Sequence, residues 1–228
     1  MSRITDGLHD NLSPQMAIIV YQTEHNQFYL ERRDIGKGNQ MGAGTPLSED
    51  CLSSLITEMS DTEHHIVSGM IPPCMLYSDS RAGQDKYVWH RKEEKRTLLF
   101  APSLHIPNGE MHIPSLIYVV EKENLMVYAY KGKLTPETTL YRAPFFNVGT
   151  YHVCLGNAKI PKPEERTFHS IIEYWEKMFW ASEFSQLLDG SPVKGDLASI
   201  TKTCIQEKTK FPTKVLTPLN LTLEDILI

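Results

Sequence analysis

Two apolar runs, Leu116–Val120 and Leu125–Tyr130, are separated only by Glu121–Asn124. Parallel pairing would need a crossover of about a dozen residues, so a gap this short leaves only an antiparallel hairpin. Both runs are rich in branched and aromatic side chains, which suit a pleated, buried surface. Shorter segments of the same character precede them at Cys74–Tyr77, Tyr87–Trp89 and Thr97–Phe100. Together these predict an antiparallel meander. Ahead of it, Ser48 can cap a helix whose first turn carries Glu49 and Asp50, with Leu52, Leu55, Ile56 and Met59 on one face. A helix followed by a meander reads as α+β.

The N-terminal part predicts a further β-hairpin, Met16–Tyr21 with Gln27–Arg33. Gly36, Gly38, Gly42 and Gly44 then read as a flexible loop. A phosphate-cradling loop is the rival there, but the Gly-Lys-Ser/Thr ending that such a loop requires is missing. Leu134–Pro163 loses all periodicity and holds Pro136, Pro144, Pro161 and Pro163, with Cys154 inside it. Long loops of that kind in compact domains are usually functional. Phe168, Ile171, Ile172, Trp175, Met178 and Phe179 follow at helical spacing and predict a helix with a broad aromatic face. From Gly190 the chain reads as irregular, with a short helix near Leu223–Leu227. The expected organisation is therefore a hairpin extension over 1–44, a central domain over 45–189 and an irregular segment over 190–228.

Lys and Arg number 23 against 28 Asp and Glu, a net charge of −5 that argues against a general nucleic-acid binder. No apolar run approaches the ~20 residues that a membrane-spanning helix needs. The first residues lack the apolar core of a signal peptide, so the expected location is cytoplasmic, with no membrane partner. In that reducing setting Cys51, Cys74, Cys154 and Cys204 are free thiols, each either a small hydrophobe or a nucleophile. Structural zinc needs paired ligands at short spacing, and no two of these cysteines lie close together. A zinc deaminase fails similarly, because Tyr77 stands where Pro73-Cys74 would need its second cysteine. A papain-like hydrolase would pair Cys154 with His169 or His112, but the local signature of such a cysteine is absent.

The residues around Cys154 carry a more specific pattern. The stretch LYRAPFFNV, continuing to VCLGNAKIP, places Asn147 shortly before the cysteine, in a long loop after the meander. This resembles the active site of ubiquitin-conjugating enzymes, where a His-Pro-Asn tripeptide precedes the cysteine. The wording is closer still to the PRTRC system protein B family, within the prokaryotic conjugating-enzyme superfamily. The hairpin PSLIYVVEKENLMVYAY, the helix YWEKMFW and the entry MGAGTPLSED also resemble that family, over roughly Met16–Phe184.

The resemblance implies a ubiquitin-conjugating-like fold: a helix, a four-stranded antiparallel meander, an active-site loop and a C-terminal helix, with the extra N-terminal β-hairpin. It matches Cys154 to the conjugating cysteine and Asn147 to the Asn of the tripeptide. Phe145 and Phe146 stand at the His and Pro positions, a loss for which this branch is known. It implies a ubiquitin-like protein and a ThiF-like adenylating enzyme as partners, with a JAB-type peptidase in the same cassette. The chain itself then needs no metal or nucleotide cofactor. Asn147 either donates a hydrogen bond to the oxyanion or braces the loop. If the segment is extended, His152 shares a face with Cys154, and its protonated form would lower the thiol pKa, with Lys159 adding positive potential. The plainer alternative is a solvent-exposed loop histidine. A catalytically silent conjugating-like scaffold and a cysteine hydrolase remain as rival readings of the whole.

Overall fold

The computed structural model describes residues 14–24, 28–48, 67–81, 85–156 and 158–227. It divides into two compact units, Met1–His64 and His65–Ile228.

In the first unit, β1 (Met16–Gln22) pairs antiparallel with β2 (Phe28–Ile35), with Val20 opposite Leu30. The glycine-rich stretch, expected to be a flexible loop, instead supplies a third strand, β3 (Met41–Pro46), on the other side of β2. Two features of the glycines account for the difference. Gly38, at φ +82°, helps close the turn in which Gly36 N–H donates to the Gln40 carbonyl at 3.0 Å. At Gly44 the Glu31 side chain lies across the backbone, 2.0 Å from where a Cβ would stand. A strand packed so closely under a neighbour's side chain gives no apolar alternation to read. The helix expected from Ser48 to Met59 lies outside the described residues after Ser48.

The second unit is built on a six-stranded sheet. Its strands are β4 (Met75–Asp79), β5 (Lys86–Arg91), β8 (Leu116–Glu121), β9 (Asn124–Ala129), β10 (Thr139–Arg142) and β11 (Pro218–Thr222). They lie in the order β11-β10-β9-β8-β5-β4, and each neighbouring pair is antiparallel. A separate hairpin, β6 (Glu94–Leu98) with β7 (Gly109–Ile113), is inserted between β5 and β8. The strand expected at Thr97–Phe100 thus begins earlier, at Glu94. The expected hairpin is present, closed by Lys122 and Glu123 in the left-handed region.

Burial on both faces explains the continuous apolar runs. Tyr87, Trp89, Tyr118, Val120 and Val127 face one core, which includes Ile171, Ile172 and Phe179 of α1 (Phe168–Ala181). Val88, Ile117, Val119, Tyr128 and Tyr130 face a second core with Leu140, Leu223 and Ile226. Helix α1 starts at a reciprocal cap: the Thr167 hydroxyl accepts from Ser170 N–H, and the Ser170 hydroxyl accepts from Thr167 N–H. Its aromatic face is interrupted by a buried charge. Glu176 accepts hydrogen bonds from Trp89 Nε1 at 2.9 Å, Arg91 Nε at 2.7 Å and Arg96 Nη2 at 3.3 Å. This carboxylate ties helix α1 to β5 and β6.

The segment after Gly190, expected to be irregular, contains a second helix, α2 (Leu197–Glu207), then β11 and α3 (Leu223–Leu227). Asp196 caps α2 through Ser199 N–H at 3.0 Å, and Leu197, Thr201 and Cys204 form its buried stripe. A stripe with only one large apolar side chain, flanked by Gly190, Pro192 and Gly195, is too faint for a periodicity argument. Strand β10 was hidden for a related reason: of its four residues only Leu140 is fully buried. The short helix near Leu223–Leu227 is where the sequence indicated. Segregated strands and helices agree with an α+β arrangement. Among the described residues no helix is long and apolar enough to cross a membrane.

Removing the Glu176 carboxylate takes the acceptor from the buried Trp89 indole N–H and from Arg91, and leaves Arg96 with Glu94. Glu176→Ala should lower unfolding stability by about 3 kcal/mol, measured by urea denaturation followed through Trp fluorescence.

Candidate active site

Residues 147–154 form a tight hairpin off the end of the sheet. Cys154 N–H donates to the Asn147 carbonyl at 2.8 Å, and Gly149 N–H donates to the His152 carbonyl at 2.9 Å. Between them Val148 and Val153 form an antiparallel bridge. The hairpin is joined to β9 by Val153 N–H, which donates to the Leu125 carbonyl at 2.9 Å, and by Asn124 Nδ2, which donates to the Tyr151 carbonyl at 3.0 Å. Asn147 and Cys154 are therefore paired through their backbones at its base. The cysteine side chain is half-buried.

Asn147 is the anchor of this hairpin. It is 2% exposed and holds φ +59°, a conformation that Asn tolerates better than most residues. Its Nδ2 donates to the Glu183 carbonyl at 2.8 Å. Its Oδ1 accepts from Ser185 N–H at 3.0 Å, the Ser185 hydroxyl at 3.1 Å and Gln186 N–H at 3.1 Å. Its own N–H donates to the Gln186 carbonyl at 2.7 Å. The amide is thus engaged with the segment that follows α1. Just before it, Phe145 and Phe146 are 2% and 4% exposed. Phe145 packs edge-on against Phe179 and Trp180, while Phe146 packs edge-on against Phe100. Two rings plugged into the core thus hold the chain at the positions matched to His and Pro.

His152 is exposed. Its imidazole lies over Gly149, with Cε1 3.0 Å from where a Cβ would stand, and the Asp189 carboxylate lies 2.8 Å from that same point. The ring is therefore turned toward Gly149, where a larger residue would displace it. Lys159 is exposed beyond the left-handed Gly156. Exposed Tyr151 and Leu187 put apolar side chains at the hairpin tip and on the following segment.

The other candidates are distributed elsewhere. Cys204 is 3% exposed, and burial pushes its thiol pKa up, which makes it a poor nucleophile. Cys74 is half-buried just before β4, and Cys51 lies outside the described residues. His169 is exposed on α1 beside Glu173, and His112 belongs to β7, with its Nδ1 buried and unbonded. Neither is among the groups bonded to the Cys154 hairpin. Among the described residues no group of three or more His, Cys, Asp or Glu is placed to hold a metal ion. A cavity of about 360 Å³ lies on α1, lined by Arg91, Arg96, Glu176, Lys177 and Trp180 among others, and no residue of the hairpin lines it. Its charges are paired with one another, Arg91 and Arg96 with Glu176 and Lys177 with Glu173, so it belongs to the brace of α1.

Sequence reasoning missed the partners that organise the hairpin: Ser185, Asp189 and Arg142. Their roles run through backbone carbonyls and amides, which leave no composition signal. A hint lay in Asp189-Gly190, a pair that favours a left-handed turn.

Asn147→Ala would leave Ser185 and Gln186 N–H without acceptors and place Ala in a left-handed conformation. We expect a stability loss of about 3 kcal/mol or more and faster alkylation of Cys154 by iodoacetamide. In the same alkylation assay, comparing the pH profiles of the unaltered chain and His152→Ala tests whether the imidazole acts on the thiol: an unchanged profile dismisses that role.

A comparison with protein families finds one matching model, described as prokaryotic E2 family D, over residues 51–219. The match begins after the three-stranded sheet and ends within β11. No curated protein and no solved structure matches the chain.

Proposed function

The chain belongs to prokaryotic E2 family D, and from that membership we propose that it carries a ubiquitin-like protein as a thioester on Cys154. In this reading the thiolate of Cys154 attacks the modifier's C-terminal thioester on a ThiF-like adenylating enzyme. The tetrahedral intermediate collapses with release of that enzyme's thiolate. An amine then attacks the new thioester, forms an amide and frees Cys154. We read β4, β5, β8 and β9 as the meander of a conjugating-type domain, β6–β7 as an insertion and α1 as the helix that follows the active-site loop. PRTRC system protein B is the branch we assign within the family, with a JAB-type peptidase as the reversing partner.

The observation that carries the proposal is a half-buried cysteine at the base of a hairpin braced at both ends. Exchange of an acyl group between two thiols is nearly balanced in energy, so a strong base is not required. A free thiol already supplies a few per cent of thiolate at neutral pH. What such chemistry needs from the protein is position, and a well-held nucleophile recovers much of the entropic barrier. We assign Asn147 the bracing role, because its amide oxygen and nitrogen are both committed to residues 183–186. That same commitment favours a second reading, a catalytically silent scaffold that binds the modifier or the activating enzyme.

Mixing the chain with its ubiquitin-like partner, the adenylating enzyme and ATP, then running gels with and without reductant, separates these readings. We expect a reductant-sensitive adduct that is lost in Cys154→Ala. Binding without an adduct would favour the scaffold, and ATP-independent cleavage of an isopeptide would favour a cysteine hydrolase.

A further inference from the structure

Arg142 ends β10, with its backbone paired to Tyr128 and its N–H bonded to the Thr217 carbonyl at 3.0 Å. Its guanidinium reaches past the end of the strand to four consecutive carbonyls. Nη1 donates to Asp189 at 2.9 Å and Ser191 at 3.0 Å, and Nη2 donates to Leu188 at 2.9 Å and Gly190 at 3.3 Å. Successive carbonyls of an extended chain point to opposite sides. They converge here because Asp189, at φ +56°, and Gly190, at φ +77°, are both left-handed. Only a planar fork of fixed donors matches such a ring, so a lysine cannot replace it.

The turn that Arg142 gathers is the one that holds the tip of the thiol hairpin. Asp189 Oδ2 accepts from Thr150 N–H at 2.9 Å and lies against Gly149 beside the His152 ring. The base of the same hairpin is held by residues 183–186 through Asn147. One continuous segment, 183–191, thus supports both ends of the loop that carries Cys154, and its distal part is shaped by a residue outside that loop.

We propose that Arg142 is a positioning residue for the Cys154 thiol, acting through the 188–191 turn and the bond from Thr150 to Asp189. The proposal rests on Cys154 as the acyl carrier for its effect on rate, but its structural step does not. Acyl transfer is sensitive to misplacement of the nucleophile by about an ångström. A loosened tip lowers the fraction of molecules with the sulfur correctly placed. The effect is therefore expected in the saturated rate and not in the half-saturating concentration.

The test compares Arg142→Lys, Arg142→Gln, Asp189→Ala and Asp189→Asn with the unaltered chain. Two readouts are taken: amide exchange at Thr150, and the single-turnover rate of thioester formation at varied modifier concentration. Arg142→Lys, Arg142→Gln and Asp189→Ala should speed Thr150 exchange. They should lower the saturated rate by about tenfold or more, with the half-saturating concentration unchanged. Asp189→Asn keeps an oxygen that can accept from Thr150 and should recover most of the loss seen in Asp189→Ala. A half-saturating concentration that rises while the saturated rate holds would overturn the proposal, as would Asp189→Asn behaving like Asp189→Ala. If Arg142→Gln fails to fold, the two Asp189 variants decide. If the unaltered chain forms no thioester, the conjugating reading fails by itself, and Thr150 exchange in Arg142→Lys still decides this inference: faster supports it, unchanged refutes it.

Discussion

The side chain of one buried residue, Asn147, does more than any other to fix the shape of the candidate site. Its oxygen takes three hydrogen bonds and its nitrogen gives one, all to the segment that leaves α1. Buried polar groups are costly unless bonded, so this amide holds residue 147 to residues 183–186 with little freedom. The backbone carbonyl of the same residue receives the N–H of Cys154. A constraint on Asn147 is therefore a constraint on where the thiol begins.

The two residues before it show how apolar packing can hold a loop. Phe145 and Phe146 sit at the positions that resemble the His-Pro of ubiquitin-conjugating enzymes, and both are buried among Phe100, Phe179, Trp180 and Phe184. Burying an aromatic ring of this size stabilises by roughly 1.5–3 kcal/mol. Apolar packing thus anchors the chain here, and the asparagine adds the direction that packing alone lacks. The Glu176 carboxylate, bonded to β5 and β6, keeps α1 and its aromatic face in register with the sheet.

The legible parts of this chain are those whose physics is local. The β8–β9 hairpin could be read because two runs of strand-forming residues are joined by a turn too short for any other pairing. Helix α1 could be read because its apolar positions recur at helical spacing over fourteen residues. Cys154 and Asn147 stood out through the motif around them, though the motif alone left the amide's role open between donor and brace. Strand β3 was missed because glycine carries no alternation, and α2 because its buried stripe mixes Thr and Cys with one Leu. Arg142 and Asp189 were missed for a deeper reason. Arg142 acts across 47 positions of sequence and Asp189 across 39, both on backbone atoms, which every residue shares.

The proposed conjugating activity requires that Cys154 bear the modifier. Its most direct test is mass-spectrometric mapping of the conjugate, trapped at low pH without reductant and digested. The modifier's C-terminal remnant is expected on the peptide containing Cys154, in a linkage cleaved by neutral hydroxylamine. A remnant on Cys51, Cys74 or a lysine, with Cys154 unmodified, would contradict it.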